Sequence, residues 1–152
     1  MNADPAVMRH FPGPLDRAAS DALVERIGER LEQDGYGLWA LQLRDGGRFI
    51  GFTGLAPMPD WSPGAGELEV GWRLASDFWG RGLATEAACA ARDLAFEVLG
   101  RRQLWSLTAA VNEPSIAVMR RIGLRYHGEL GHPAIEAGHR LHRHVFYRRD
   151  SW

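Results

Sequence analysis

The sequence predicts a mixed α/β fold in which strands and helices are interleaved along all 152 residues. Two patterns carry this prediction: apolar and polar residues alternate in some segments, as in half-buried strands, and apolar residues recur at helical spacing in others. The composition agrees, because 45% apolar and 24% charged residues are ordinary values for a globular chain. No internal repeat or long linker divides the chain, so residues 1–152 are expected to form one domain with a single core.

The first half of the chain predicts one helix followed by three strands. Leu23, Ile27 and Leu31 recur at four-residue spacing, which indicates an amphipathic helix over residues 16–31 that an Asp-Gly pair terminates. Alternating segments then predict strands over residues 39–43, 48–56 and 67–74, separated by an Asp-Gly-Gly turn and by a loop rich in Pro and Gly.

The second half predicts helices and strands in alternation after a Gly-rich turn. This turn covers residues 79–84 and opens onto a helix that Thr85 caps and Gly100 ends. A strand, a helix with Pro at its first position and two further strands follow, over residues 103–111, 114–123, 124–130 and 143–148. The resulting order is three strands, helix, strand, helix and two strands, which is a mixed α/β pattern.

Charge and cysteine content exclude several classes of function. The formal net charge of −1 argues against a nucleic-acid partner, and no segment approaches the ~20 apolar residues of a membrane span or resembles a signal peptide. Cys89 is the only cysteine, so there is no disulfide framework and no CxxC motif, and its Ala-rich surroundings favour a packing residue over a nucleophile. We therefore expect a cytoplasmic location, with no nucleic-acid or membrane partner.

The histidines of the C-terminal half do not indicate a metal site. His139, His142 and His144 have suggestive spacing, but no Cys or acidic ligand accompanies them. A loop that leads into a strand explains this spacing better, and we expect no bound metal.

The strongest local signal is the Gly-rich turn between a strand and a helix. Successive backbone N–H groups in such a turn, together with the positive end of the helix dipole, form a site for a phosphate group. Gly80 and Gly82 let a ligand approach the backbone and tolerate positive φ, and Arg81 can add a charged contact. The turn lacks the Lys-Ser/Thr of a Walker A loop and the third Gly of a dinucleotide fingerprint. A tight turn that needs Gly for geometry alone fits equally well, so both interpretations stay open at this point.

Four sequence blocks together resemble the GNAT family of N-acetyltransferases. Trp79–Ala87 resembles the family's pyrophosphate loop for acetyl-CoA, and Glu69–Trp72 resembles the strand beside the pantetheine arm. Val111–Met119 resembles the family's second motif, and Ile122–Leu124 resembles the exit from that motif into the next strand. His144–Arg148 resembles the last strand. The blocks are closest to the branch that includes the ribosomal-protein Ser/Ala N-terminal acetyltransferases. The resemblance implies a mostly antiparallel sheet flanked by helices, with acyl-CoA bound between two splayed central strands.

The resemblance also implies which residues bind the cosubstrate acetyl-CoA. They are Val70, Gly71, Trp72, Trp79, Gly80, Arg81, Gly82, Leu83, Ala84, Thr85, Asn112 and Ser115. Asn112 would bind the pantetheine amides, or else it caps the helix that follows it. The implied reaction is transfer of an acetyl group to a primary amine, on a protein N-terminus or a small molecule, by direct attack in a ternary complex. A catalytically silent CoA-binding protein of the same fold and another phosphate-binding module are the alternatives.

That reaction requires three groups. A base must take the proton of an alkyl amine, which is mostly protonated near neutral pH. A backbone N–H near Val70–Trp72 is the family's usual donor to the oxyanion. Ser115 is the candidate proton donor to the departing thiolate, or else a residue that satisfies the first turn of its helix.

Two side chains are candidates for the catalytic base. Glu69 lies on the polar face of the predicted strand, which Glu67 shares, and either carboxylate could be a solvated strand residue. His132 is the second candidate because an unperturbed imidazole has a pKa of ~6.5. Trp61 and Trp72 are candidates to line the acceptor cleft, or simply core residues. Acceptor loops vary freely on one fold, so the sequence predicts a class of acceptor and no single amine.

One departure from the family affects an edge of the sheet. Family members begin with a strand and most of a helix before the segment that here reads Asn2–Pro5. The strand over residues 39–43 would then lose its usual neighbour and become an exposed edge with apolar residues on one face. We therefore expect this edge to pair with a second copy in a two-fold dimer, or to be covered by irregular chain from residues 5–15.

Overall fold

The computed structural model describes residues 1–151, which contain six strands and four α-helices. The helices are α1 Pro5–Met8, α2 Arg17–Asp34, α3 Leu83–Asp93 and α4 Glu113–Arg121. The strands are β1 Leu38–Gln42, β2 Phe49–Pro57, β3 Leu68–Leu74, β4 Gln103–Ala109, β5 Arg125–Gly131 and β6 Arg143–Asp150. All the predicted strands and helices are present, and α1 is an additional helix that the sequence pattern does not indicate.

The six strands form one sheet in the order β1-β2-β3-β4-β6-β5. Neighbouring strands are antiparallel except for β3 and β4, which run parallel because α3 forms the crossover between them. This architecture confirms the predicted mixed, mostly antiparallel fold flanked by helices. β1 and β5 are the edges of the sheet, so the strand that begins the predicted meander does lie at an edge.

The parallel pair β3–β4 is the least extensive pairing in the middle of the sheet. Only two residue pairs, Leu68–Leu104 and Glu69–Trp105, are in register, whereas the flanking antiparallel pairs β2–β3 and β4–β6 are in register over seven pairs each. Beyond Glu69 the two strands separate toward their C-terminal ends. We call the resulting wedge-shaped opening the central gap.

The helices α3 and α4 pack on one face of the sheet and form the main core with it. Ala88, Ala91 and Ala95 are buried in this core, and their small side chains let the helix approach the strands closely. The larger buried side chains around them are Leu55, Leu68, Val70, Leu104, Ile116, Met119, Ile122, Val145 and Tyr147. Each large apolar side chain buried in this way contributes about 1.5–3 kcal/mol of stability.

The opposite face of the sheet carries a smaller cluster, and we call it the aromatic face. Its buried members are Met58, Trp105 and Phe146, with Trp61 and Leu107 packed against them. Glu69 belongs to this face, because it pairs in register with Trp105 and its strand neighbours on both sides point into the main core.

The helix α3 begins earlier than predicted and ends in an unusual turn. Gly82 is the N-cap residue with φ of 80°, and Leu83 is the first helical residue, so Thr85 does not cap the helix. The predicted cap is wrong because a glycine in the left-handed region lets the chain enter the helix directly from the turn. The chain continues through a π-helical turn, Leu94–Val98, and Gly100 at φ of 62° then reverses it, which confirms the predicted end.

The helix α2 confirms the predicted amphipathic helix and extends three residues further. The Asp16 carboxylate accepts from the Ala19 N–H (2.8 Å) at its start, and Gly35 at φ of 72° ends it. Its apolar stripe, Leu23, Ile27 and Leu31, is half-buried. None of the helices in residues 1–151 has the length and apolar character needed to cross a bilayer.

The N-terminal segment packs beside the end of β3. The Ser76 hydroxyl donates to the Asp4 carboxylate (2.7 Å), and Arg73 donates to the side-chain oxygen of Asn2 (3.0 Å). Val7 and Met8 of α1 are buried. Asn2 also donates to the Ser20 hydroxyl of α2 (2.9 Å). Within residues 1–151, the hydrogen bonds of this segment are therefore with elements other than the edge strand β1.

Candidate active site

The central gap exposes main-chain groups of β3. The Ser106 hydroxyl donates to the Val70 carbonyl (2.9 Å), which therefore points toward β4, and the Thr53 hydroxyl donates to the Gly71 carbonyl (2.9 Å), which points toward β2. Because successive residues of a strand direct their main-chain groups to opposite edges, the N–H and C=O of Trp72 also point into the gap. β4 has separated from β3 at this level, so an extended ligand with amide groups can pair with Trp72 as a strand would.

The Gly-rich turn follows β3 and forms a cradle of backbone N–H groups. Gly80 and Gly82 have φ of 72° and 80°, in the left-handed region that other residues adopt only with strain. The Glu86 N–H donates to the Gly82 carbonyl (3.0 Å), so the N–H groups of residues 83–85 have no partner within the helix. A Cβ built on either glycine would meet no atom within 4 Å, which leaves the space beside the turn open. Together with the helix dipole, the cradle suits an anion such as a pyrophosphate.

Trp79 anchors this cradle to β3. Its indole N–H donates to the Leu74 carbonyl (2.9 Å), and the Arg9 guanidinium lies 5.6 Å from its ring centroid. Arg81 is exposed, with its guanidinium 5.6 Å from the Phe78 ring. The cradle is therefore fixed to β3 through Trp79, and the cation of Arg81 lies beside it.

Asn112 and Ser115 lie at the start of α4, which follows the other strand of the gap. Asn112 is the N-cap residue of α4 and its carbonyl accepts from the Ile116 N–H (3.1 Å), whereas its side-chain amide donates to the Thr108 hydroxyl (2.8 Å) and makes no capping bond. Ser115 is the third residue of α4 and is half-buried, and within residues 1–151 its hydroxyl has no recorded hydrogen bond to the first turn. The role of Ser115 as a proton donor stays a prediction.

Glu69 is the titratable side chain at the point where β3 and β4 separate. It is half-buried on the aromatic face beside Trp105. Burial raises the pKa of Glu69 to about 8, because the ionised carboxylate has lost hydration there. A carboxylate of that basicity accepts a proton near neutral pH far better than an ordinary glutamate does. Glu67, which shares the predicted polar face, lies just before β3, and its carbonyl accepts from the Met58 N–H (2.9 Å).

His132 belongs to an aromatic cluster on the same side of the sheet. Its ring centroid lies 4.8 Å from that of Trp61 and 4.9 Å from that of His144, and Trp61 also packs on Phe146 at 5.6 Å. A main-chain N–H two residues further on donates to Nδ1 of His132 (3.2 Å), so Nδ1 is the acceptor and the neutral ring carries its proton on Nε2. Burial lowers the pKa of His144, which keeps that ring neutral at pH 7.

The remaining histidines of the C-terminal half make separate contacts. Nδ1 of His142 lies 2.7 Å from the Ile135 carbonyl, and the Leu141 N–H donates to Nδ1 of His139 (3.1 Å). In the part of the chain that the structure describes, no group of three or more His, Cys, Asp or Glu side chains is placed to hold a metal ion. Cys89 is a half-buried free thiol on α3 that packs against the main core.

Three polar residues of this region have no role in the sequence-based hypotheses. Ser106 and Thr108 of β4 make the hydrogen bonds that border the gap, and Arg73 lies on the same face of β3 as Glu69. Hydroxyl side chains within an otherwise apolar strand are visible in the sequence, so Ser106 and Thr108 could have indicated that β4 borders a gap. An arginine on the polar face of a strand, in contrast, cannot be distinguished in sequence from a solvated residue.

The central gap thus offers main-chain hydrogen-bonding groups to an extended ligand with amides, and the cradle after β3 offers N–H groups to an anion. Residues 1–125 match the family described as the acetyltransferase (GNAT) domain. The chain therefore belongs to the GNAT acetyltransferase family, and its enzyme class is N-acetyltransferase.

Two curated proteins and a solved structure are similar to this chain. The uncharacterised protein YkkB of Bacillus subtilis is 31% identical over 128 residues, which are 81% of this chain and 70% of that protein. The FsC-acetyl coenzyme A-N(2)-transacetylase of Aspergillus fumigatus is 35% identical over 96 residues, which are 60% of this chain and 40% of that enzyme. An acetyltransferase of Agrobacterium tumefaciens has a TM-score of 0.76 at 30% identity, with 98% of this chain and 80% of that chain covered.

The ribosomal-protein branch is matched in fold. The ribosomal-protein-alanine N-acetyltransferase of Brucella melitensis has a TM-score of 0.73 at 18% identity, over 99% of this chain and 90% of that chain. This likeness concerns the fold alone, so membership of that branch stays a prediction.

Proposed function

We propose that the protein transfers an acetyl group from acetyl-CoA to a primary amine, on a protein N-terminus or a small molecule, by direct attack in a ternary complex. The observation that carries this proposal is the position of Glu69, a carboxyl group with a pKa of about 8, at the point where β3 and β4 separate. A protein that only binds CoA needs the gap and the cradle but has no use for a half-buried acid with a raised pKa beside them. The enzyme is therefore favoured over a silent CoA-binding protein.

We assign acetyl-CoA to the central gap and the cradle. The pyrophosphate would accept from the N–H groups of residues 83–85, with Arg81 beside them. The pantetheine arm would pair with the main chain of Val70–Trp72, and the side-chain oxygen of Asn112 would accept from one of its amides. The relative named as an acetyl coenzyme A transacetylase supports this choice of donor.

Glu69 is the general base in this proposal. Its carboxylate takes the proton that the amine nitrogen loses as the new N–C bond forms, and it then releases that proton to solvent. The raised pKa makes the carboxylate basic enough for this step near neutral pH. His132 is the alternative base, and its neutral ring would take the proton on Nδ1 in exchange for the bond from the Ala134 N–H.

The oxyanion and the leaving group are served by the main chain and by Ser115. When the amine attacks, the carbonyl oxygen becomes an oxyanion, to which an N–H of the segment Val70–Trp72 donates. The tetrahedral intermediate then collapses, the C–S bond breaks, and the Ser115 hydroxyl gives a proton to the sulfur. Ser115 regains a proton from solvent, so the products are an amide and a free thiol.

A screen of amine acceptors tests the proposed function. The protein is incubated with acetyl-CoA and with separate pools of peptides with free N-termini, amino acids, polyamines and other amines. Mass spectrometry detects singly acetylated products, and thiol release is measured in parallel. We expect acetylation of at least one pool, together with retained acetyl-CoA binding and much slower turnover in Glu69→Gln.

Two results would contradict the proposal. Calorimetric binding of acetyl-CoA without turnover in every pool would identify a silent CoA-binding protein. Stronger thermal stabilisation by ATP than by CoA would identify another phosphate-binding module.

We place this activity in the cytoplasm, within one N-acetyltransferase domain over residues 1–152. The partners in this proposal are acetyl-CoA, the amine acceptor and a second copy of the chain.

A further inference from the structure

Arg73 is a cation on the aromatic face that has no acidic partner. Its Nη1 donates to the side-chain oxygen of Asn2 (3.0 Å), but its Nε is buried without a hydrogen bond. In the described part of the chain, no carboxylate forms an ion pair with it. The guanidinium lies against two rings, 4.2 Å from the centroid of Phe11 and 5.3 Å from that of Phe52.

An unpaired cation in this position is costly. Loss of hydration lowers the pKa of Arg73, yet a guanidinium stays protonated in proteins, so the charge remains. The two rings offset part of this cost, but they leave the buried Nε of the guanidinium without an acceptor. An oxyanion supplied by a ligand would satisfy these donors through charge-assisted hydrogen bonds, which are the strongest that arginine forms. Phe11 covers the guanidinium from an exposed position, so its ring can move to admit such a group.

Gly71 leaves open space between Arg73 and the proposed base. Glu69, Gly71 and Arg73 alternate along β3, so they share the aromatic face, with about 13 Å between the first and the last Cα. A Cβ built on Gly71 would meet no atom within 4 Å, and its φ does not lie in the positive range. The backbone therefore does not require glycine here. The missing side chain creates room for a ligand that extends from Glu69 to Arg73.

We propose that the acceptor amine carries an anionic group, a carboxylate or a phosphate-type group, which Arg73 binds while the amine faces Glu69. This inference rests on the proposed function, because it requires the amine to react beside Glu69. A polycationic acceptor placed over Gly71 would meet the like charge of Arg73, so the geometry favours anionic amines over polyamines.

The test is a set of acceptors that differ only in length and in terminal group. It comprises linear ω-amino carboxylates from glycine to 8-aminooctanoate, the corresponding amides and the corresponding aminoalkyl phosphonates. Thiol release at saturating acetyl-CoA gives kcat/KM for each. We expect the wild type to prefer an anionic acceptor over its amide by about 10- to 100-fold, as for a hydrogen-bonded charge, with an optimum at one chain length. The carboxylate and phosphonate series distinguish the two kinds of anion.

Variants of Arg73 link the preference to this side chain. Arg73→Gln should raise KM for the best anionic acceptor by about 10- to 100-fold and leave the amides and the Kd of acetyl-CoA within about twofold. Arg73→Lys keeps the charge and should keep part of the preference. Arg125→Gln is the matched control, because it removes an exposed arginine from the edge strand β5, and it should change none of these values.

A second variant covers the case in which Arg73→Gln fails to fold, as judged by its thermal midpoint. Gly71→Val fills the open space and should raise KM for the anionic acceptor. Equal kcat/KM for anionic acceptors and their amides in an active wild type would overturn the inference and leave the proposed function intact. Absence of turnover with every amine would overturn the proposed function, and this inference with it.

Discussion

Glu69 is half-buried on the aromatic face, where its ionised form loses much of the hydration that it has in solvent. The folded protein keeps a proton on this carboxyl up to a pKa of about 8, whereas the unfolded chain releases it near the ordinary value of 4.5. Between these two values the folded state binds more protons than the unfolded state, so the free energy of unfolding falls as the pH rises. The upper limit of this loss is about 5 kcal/mol, at 1.36 kcal/mol for each pKa unit.

Glu69→Gln should therefore remove this pH dependence. We expect the variant to gain stability relative to the wild type as the pH is raised from about 5 to about 8, because a neutral amide pays no penalty for ionisation. Chemical denaturation at a series of pH values measures the difference. A stability difference between the two proteins that does not change with pH would show that Glu69 is ordinarily hydrated.

The same variant tests catalysis. In the wild type kcat should rise with pH through about 8, because the deprotonated carboxylate is the active base. Glu69→Gln should lower kcat by about 10²- to 10⁴-fold and lose this rise. Steady-state rates between about pH 6 and pH 9.5, with one acceptor throughout, give both profiles. If the two profiles coincide, the base is elsewhere, and His132 is the next side chain to substitute.

Ser115 is the second residue whose role can be measured. Ser115→Ala should lower kcat by about 10- to 100-fold while the Kd of acetyl-CoA stays within about twofold, because the hydroxyl acts on the leaving sulfur and not on the bound donor. Ser115→Thr keeps the hydroxyl and serves as the control. Full turnover by the alanine variant would remove Ser115 from the mechanism.

At the scale of elements, the Gly-rich turn and α3 act as one unit. Gly82→Val should abolish acetyl-CoA binding in a folded protein, because the new side chain occupies the ligand's space and opposes the φ of 80°. Gly46→Val is a matched control, since Gly46 also has positive φ, at 75°, with open space around it, in the turn between β1 and β2. Calorimetry with acetyl-CoA separates the two variants. Equal affinity in both would place the pyrophosphate elsewhere.

The elements were predictable because each has a local signal. Alternation marks the strands, and the Asp-Gly pair after α2 marks its end, whereas α1 has only four residues and is too short for a periodic pattern. Tertiary contacts account for what the sequence could not predict. Glu69 is readable as a residue of a polar strand face, but its burial depends on Trp105, which lies far along the chain. The helix α3 is capped by Gly82 instead of Thr85 because Gly82 adopts a left-handed φ, and the local sequence does not reveal that φ.

At the scale of the whole molecule, the edge strand β1 carries the prediction of self-association. β2 is its neighbour in the sheet, and the other edge of β1 offers unpaired main-chain groups. We expect a two-fold dimer of about 34 kDa by light scattering, formed by pairing of β1 with its copy. Ala40→Lys places a charge on this exposed strand and should shift the protein toward the monomer, whereas Ala137→Lys, in an exposed loop, should not. A monodisperse monomer of the wild type at high concentration would refute this prediction.

The central gap divides the sheet into two three-stranded halves, β1-β2-β3 and β4-β6-β5, which two residue pairs and the overlying helices hold together. A donor molecule that binds main-chain groups on both sides would supply the missing connection between them. Binding to the folded state alone raises the free energy of unfolding. The two halves of the sheet would therefore be held together more strongly as more of the protein has acetyl-CoA bound. The lifetime of the protein against proteases and heat would then depend on the supply of its own acetyl donor.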